Sequence, residues 1–242
     1  MNRVARSTIP AGLLAITLPW ARRWSFWCLP ARCYFCSARG DLGPIDLCSI
    51  CWASLPWFTD KADAGQISAF RYADPIDQAL KALKFSGDRR AARLLGTLLA
   101  VAVHGRHTAP ELPDLLLPVP LHATRLAQRG FNQALLIARH AAHPLRRPIE
   151  IDWLTRVRAT QPQTALHAAA RRQNVAGAFV VASHLRARLR QRKIRCVALV
   201  DDVMTTGATL DAARTVLLEA GVREVQLWSV ARAMPASTVM PT

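Results

Sequence analysis

Hydrophobic and polar positions along this 242-residue chain fall into two regimes. Up to residue 60 neither a helical nor a strand period persists, and Cys, Trp and Pro stand out, as in a small module held together by something other than a large core. Beyond that point the periods become regular. Gln66 to Tyr72 reads as a short strand, and Ile76 to Phe85 and Arg90 to Val103 place apolar residues at helical spacing, split by Ser86-Gly87-Asp88. Asp114 to Val119 is an apolar run flanked by prolines, Phe131 to Ala142 is helix-like, and Ile149 to Leu154 suits another strand. Ala178 to Val181 and Ile194 to Val200 read as strands, Ala208 to Ala220 as a helix closed by Gly221, and Glu224 to Ala231 as the last strand. Strands alternating with helices imply βαβ units in a mostly parallel sheet. The pattern thus divides the chain into an N-terminal segment, 1–60, and an α/β domain, 61–242.

Composition allows one buried core with a small appendage and excludes a disordered chain, since 51% of residues are hydrophobic and 20% charged. The net charge of +16 comes mostly from arginine, with only four lysines, Lys61, Lys81, Lys84 and Lys193. Such an excess points to anionic partners, although a general arginine-rich bias over exposed faces would also produce it. Near the start, Arg3 and Arg6 precede the apolar run Ile9 to Trp20, which imitates a secretory signal. Pro10 and Pro19 interrupt that run, Arg22 and Arg23 follow it, and no small-residue cleavage site is present, so it reads as an amphipathic packing segment. No other stretch has the roughly 18 uninterrupted apolar residues of a spanning helix. A cytoplasmic protein without a membrane span is expected.

Five of six cysteines lie between positions 28 and 51. Cys33-Tyr34-Phe35-Cys36 and Cys48-Ser49-Ile50-Cys51 form two C-x₂-C pairs separated by eleven residues, and each pair can grip one tetrahedral metal from a tight turn. Zinc is the default ion for four thiolates, and four protein ligands leave no open position, so a structural rather than catalytic ion is expected. Cys28 falls outside the pairs and is assigned to packing.

The most informative segment runs from Val197 to Leu210: an apolar run, the pair Asp201-Asp202, the small-residue loop Thr205-Thr206-Gly207, then a helix. A strand-loop-helix turn of this kind aims backbone N–H groups and the positive end of the helix dipole at one point, where an anion binds. Two carboxylates beside that point would repel phosphate alone, but they suit a ligand that also presents a diol. In the plainer reading, they end a strand and cap the next helix.

The thirteen residues from Val197 to Thr209 resemble the signature of type I phosphoribosyltransferases that binds 5-phosphoribosyl-1-pyrophosphate (PRPP). That resemblance implies ribose hydroxyls held by Asp201 and Asp202, directly or through Mg²⁺, and a 5′-phosphate enclosed by Val203, Thr205, Thr206, Gly207, Ala208 and Thr209. It also implies a central sheet with helices on both faces. Enzymes of this type that act on 6-oxopurines usually carry an aspartate where this chain has Thr205, so hypoxanthine and guanine are disfavoured acceptors.

Further motifs stand in order along the chain: Ala82-Leu83-Lys84-Phe85-Ser86-Gly87-Asp88, Pro118-Val119-Pro120, Arg129-Gly130-Phe131-Asn132-Gln133, Arg171-Arg172-Gln173-Asn174-Val175 and Gly177-Ala178-Phe179. Together with the paired C-x₂-C motifs, they make nearly the whole chain similar to the ComF family, which includes ComFC and GntX. That group joins a double zinc ribbon to a phosphoribosyltransferase-like domain. The resemblance implies structural Zn²⁺ on Cys33, Cys36, Cys48 and Cys51, and PRPP with Mg²⁺ on the Asp201–Thr209 loop, aided by Lys84, Arg125 and Arg129. In catalysis, Asp201, Asp202, Arg125 and Arg129 would carry displacement at ribose C1′, the phosphoribosyl group passing to a nitrogen acceptor as pyrophosphate is released. The alternative is a non-catalytic PRPP-binding module that handles single-stranded DNA with other competence proteins. Between Trp153 and Arg195 there are ten basic residues and no acid, and Arg156, Arg158, Gln161, Gln163, Arg171, Arg172 and Asn174 read as one mobile polar loop. The Arg186 to Arg195 part suits an exposed helix or hairpin, and the tryptophans near the knuckles suit either core packing or base stacking.

Overall fold

A computed structural model describes residues 32–42, 45–58, 65–106, 111–159 and 177–234. Four parallel strands form the main sheet: β1 (Gln66–Arg71), β2 (Leu115–Pro118), β5 (Cys196–Met204) and β6 (Glu224–Arg232), in the order β1-β6-β5-β2. A separate antiparallel pair joins β3 (Leu154–Arg156) to β4 (Phe179–Val181). The helices are α1 (Ser49–Ala53), α2 (Ile76–Ser86), α3 (Arg89–His104), α4 (Ala123–Arg129), α5 (Gln133–Leu145), α6 (Leu185–Arg192) and α7 (Ala208–Glu219).

Alternation along the strands explains the two layers of core. On β5, Ala198 and Val200 face an apolar cluster built with α2, α3 and α5, while Val197 and Leu199 face a second one built with α6, α7, Trp153 and Phe179. Both faces of the sheet are therefore covered by helices, as parallel strands require. α3 and α5 approach so closely that a Cβ on Gly96 would stand 2.4 Å from the carbonyl oxygen of Ile137. The knuckle segment does not stand apart from this core. Cys33, Leu47, Cys48, Trp52 and Leu55 belong to the same cluster as α2 and α3.

Two expectations are corrected. Ile149 to Leu154 is not a strand of the main sheet: Ile149 makes one isolated parallel bridge to Leu116, and β3 begins only at Leu154, pairing antiparallel with β4. Strand β5 runs on to Met204 instead of ending at Val200, because β6 continues beside it and pairs Asp201 with Ser229, Val203 with Ala231 and Met204 with Arg232. Arg125 and Arg129 sit on a short helix, α4, that had no apolar signal because none of its residues is buried. No helix among the described residues is long and apolar enough to cross a membrane. Cys28, the Ile9 to Trp20 run, Gln161, Gln163, Arg171, Arg172 and Asn174 lie outside the described residues.

Candidate functional site

The C-terminal end of β5 leads through Thr205 and Thr206 to Gly207, whose φ of 82° closes the turn in the left-handed region that glycine tolerates. Gly207 is also the N-cap of α7 and supplies no side-chain cap, so the first-turn N–H groups of α7 are left to other acceptors. Thr206 Oγ1 accepts from Ala208 N at 3.5 Å, a long contact. Asp201, Val203, Thr205, Gly207, Ala208 and Thr209 together line a hollow of about 10 Å³, room for one water-sized group. Sites of this kind lie beyond the C-terminal ends of parallel strands.

Asp202 is buried, with 5% of its surface exposed, and Asp201 beside it is half-buried. Asp201 Oδ1 accepts from Asp202 N at 2.8 Å. Lys84, in the last turn of α2, brings Nζ to 2.6 Å from Asp202 Oδ2. This is an ion pair off the hydrogen-bonding direction, and Oδ2 has no aligned donor. Burial alone would raise the Asp202 carboxyl, yet the Lys84 charge beside it brings the net effect below the usual carboxylate range. Burial, joined by the neighbouring Asp202 charge, pushes Asp201 well above that range. Of the two, Asp202 is thus the more readily ionised. A divalent cation or a diol at this point would relieve the repulsion, so the donor set fits Mg²⁺ as well as ribose hydroxyls.

On the neighbouring strand end, β2 gives way to Pro118-Val119-Pro120 and His122, which N-caps α4 by accepting from Thr124 N. Asn132 fastens this loop to α5: its Nδ2 donates to Val119 O at 3.0 Å, and its Oδ1 accepts from Ala134 N at 2.9 Å. Arg129 Nη1 donates to Gln133 Oε1 at 2.7 Å. Burial lowers the Arg129 pKa, and the nearby Asp202 charge opposes that shift. Arg125 lines a cleft of about 130 Å³ with His122, Thr124, Gln128, Arg156 and Ala159.

Arg156 was grouped in the sequence with a mobile loop, but it ends β3, opposite Phe179, with its guanidinium over the Phe179 ring at 5.4 Å. Burial depresses the Arg156 pKa and the Arg125 charge depresses it further, while Asp201 acts in the opposite sense. Two guanidiniums and an imidazole, with no carboxylate among the lining residues, make this cleft receptive to an anion. The only sequence signal for Arg156 was its place in an acid-free stretch.

The four knuckle cysteines converge as their spacing suggests, with all four sulfurs within 4.8 Å of one another and Cys36 Sγ 3.6 Å from Cys48 Sγ. Cys48 Sγ accepts from Cys51 N, and α1 begins there. Although burial works to raise the Cys33 thiol, backbone amides aimed at its sulfur bring it down to about 7. Four sulfurs at this separation could hold one tetrahedral ion, and amides on the sulfur favour the thiolate that such an ion needs.

The structure gathers Lys84, Asp201, Asp202, Val203 and Thr205–Thr209 at one edge, with Arg129 within electrostatic reach and Arg125 in the adjoining cleft.

No family model matches the chain. Competence protein F of Haemophilus influenzae Rd is 39% identical over 166 residues, covering 67% of this chain and 70% of that protein. DNA utilization protein YhgH of Escherichia coli K12 is 31% identical over 237 residues, covering 85% of this chain and 99% of that protein. Among solved structures, a purine phosphoribosyltransferase from Pyrococcus horikoshii Ot3 overlaps 74% of this chain and 97% of that chain, with 15% identity and a TM-score of 0.29. At that level the likeness bears on neither site nor substrate.

Proposed function

The chain belongs to the ComF family of competence and DNA-utilization proteins, and from that premise we propose that it binds PRPP with Mg²⁺ at the β5–α7 turn and transfers the phosphoribosyl group to a nitrogen acceptor. The observation that carries this reading is the placing of two adjacent carboxylates, Asp201 and Asp202, near the C-terminal end of β5, one short turn ahead of a glycine-opened helix N-terminus. The loop amides and the hydroxyls of Thr205, Thr206 and Thr209 hold the 5′-phosphate, and the carboxylates hold the diol. Lys84 keeps Asp202 ionised. Mg²⁺ supplies charge neutralisation of the pyrophosphate when bound. Arg125 and Arg129 offset charge on the departing pyrophosphate, so no side-chain nucleophile is required. Four thiolates at the knuckle hold a structural Zn²⁺.

The test is pyrophosphate release from Mg·PRPP by purified protein across a panel of nitrogen acceptors, together with calorimetry of PRPP binding. Acceptor-dependent release supports the enzyme; absence of any PRPP binding removes the reading altogether.

A second reading, a module that handles single-stranded DNA, is favoured by a separate feature. A groove of about 460 Å³, lined by Leu189, Arg190, Lys193, Ile194, Arg195, Gly221 and Arg223, lies at the start of β5 and β6, the opposite edge from the phosphate loop. Its neighbours Arg186, Arg188 and Arg192 on α6 are exposed, and Arg192 pairs with Glu150 at 3.2 Å. DNA binding that weakens steeply with salt and is lost in Arg190→Glu/Arg223→Glu would support this reading; salt-independent binding would count against it.

A further inference from the structure

The short turn between α2 and α3 is gripped from three sides. Tyr34, inside the first C-x₂-C pair, donates its hydroxyl to Asp88 Oδ2 at 2.8 Å. Asp88 in turn caps α3, its Oδ1 accepting from Arg90 N at 2.8 Å and Ala91 N at 3.3 Å. The Arg90 guanidinium lies over the Tyr34 ring at 5.7 Å, and Arg93, one turn along α3, forms an ion pair with Asp46 of the knuckle segment. Tyr34 is itself anchored there, because its backbone N donates to Asp46 O at 2.8 Å.

The second grip is Gly87, which ends α2 with φ 63° and donates to the carbonyls of Ala82 and Leu83. A Cβ on Gly87 would come within 3.3 Å of Phe131 Cε1, so the turn also rests on the Arg129-Gly130-Phe131 segment. The third contact is Lys84, one helical turn before Gly87, which reaches Asp202. Each contact fixes a different side of one rigid corner, and Lys84 is the residue of that corner that enters the site. A shift of about 1 Å in such a corner is enough to misplace a charged group against its ligand.

We propose that Tyr34 and Asp88 are positioning residues for Lys84, so that the four-cysteine knuckle sets how firmly the β5–α7 turn holds its ligand. This rests on the sugar-phosphate reading of the turn. The knuckle acts at a distance: it holds Tyr34, Tyr34 holds the Asp88 cap, the cap sets the end of α2, and α2 aims Lys84. The influence of Tyr34 passes through the corner by way of its hydrogen bond to Asp88.

The full chain and its Tyr34→Phe, Lys84→Met and double variants are compared by calorimetry with Mg·PRPP, by zinc content, and by the acylation rate of Lys84 read in peptide mass spectra. The Lys84 side chain is 26% exposed, so it can be labelled. Tyr34→Phe keeps the ring and removes one hydrogen bond, and is expected to weaken Mg·PRPP about fivefold and to speed Lys84 labelling, with zinc content unchanged. In the Lys84→Met background, Tyr34→Phe is expected to have no further effect. An equal effect of Tyr34→Phe with and without Lys84, or unaltered Lys84 labelling, overturns the positioning role. Faster labelling in Tyr34→Phe, with no binding of Mg·PRPP by the unsubstituted protein, sinks the sugar-phosphate reading and leaves the positioning intact.

Discussion

Lys84 and Asp202, one on the first helix of the α/β layer and the other on an inner strand, meet with Nζ 2.6 Å from Oδ2. The pair joins a buried carboxylate to a cation that still reaches solvent, so it is worth less than a fully buried pair but more than a surface one. Lys84→Met is expected to lower stability by about 2 kcal/mol, read in urea unfolding, and Asp202→Asn in the same background is expected to restore much of it. Loss of equal size in both variants would show that the charge pairing is not the cause.

Asp202 has a depressed carboxyl, so its contribution to stability is present above the ordinary aspartate value and is lost as pH falls through its own lower value. Asp201 has the opposite sign. Its folded carboxyl is raised, so the folded state gains stability as pH falls through that raised value and loses it as pH rises through the same window. Asp201→Asn is therefore expected to raise the melting temperature at neutral pH by a few degrees and to flatten its pH dependence in that window. A melting profile that keeps its original slope would contradict the assignment.

At the knuckle, Cys36→Ser or treatment with a chelator is expected to release one zinc per chain and to lower the melting temperature sharply. A structural site of this type contributes on the order of 10 kcal/mol to its own segment. Because Leu47, Trp52 and Leu55 share the core with α2 and α3, the loss is expected to extend into those helices in hydrogen-exchange measurements. Asp202→Asn is expected to weaken PRPP binding with far less thermal loss. Matching thermal losses in the two variants would remove this division of labour.

Two glycines give steric predictions of different kinds. Gly207→Ala forces a side chain into φ 82° and brings Cβ to 3.2 Å from Asp211 Oδ2, at an expected cost of about 1 kcal/mol and a marked loss of phosphate binding. Gly96→Ala drives Cβ to 2.4 Å from Ile137 O and 2.6 Å from His140 Cβ, both parts of a packed helix with little room to yield. It is expected to cost about 3 kcal/mol in denaturant unfolding while leaving any PRPP affinity of the folded protein unchanged.

Features governed by near neighbours in the chain were legible in the sequence. The two C-x₂-C turns, the α2–α3 break at Ser86-Gly87-Asp88 and the turn at Thr205-Thr206-Gly207 each depend on residue types within a few positions, and the structure has a turn or a converging cysteine pair at each. α4 was not legible, because a helix with no buried residue leaves no apolar period to read. The true end of β5 was hidden for another reason: Asp201 and Asp202 look like a strand terminus, yet the ladder to β6 carries the strand past them to Met204.

What the sequence alone determined is the inventory: a cysteine knuckle, alternating strands and helices, and an acid pair before a glycine-opened helix. Only the tertiary structure decided the partnerships. Lys84 against Asp202, Tyr34 against Asp88, Arg156 beside Arg125 and the antiparallel β3–β4 pair all join residues whose separation is bridged by packing. A side chain's own neighbours dictate its local conformation, but which distant charge it meets depends on how whole helices stack on the sheet, and that is settled by the sum of many apolar contacts.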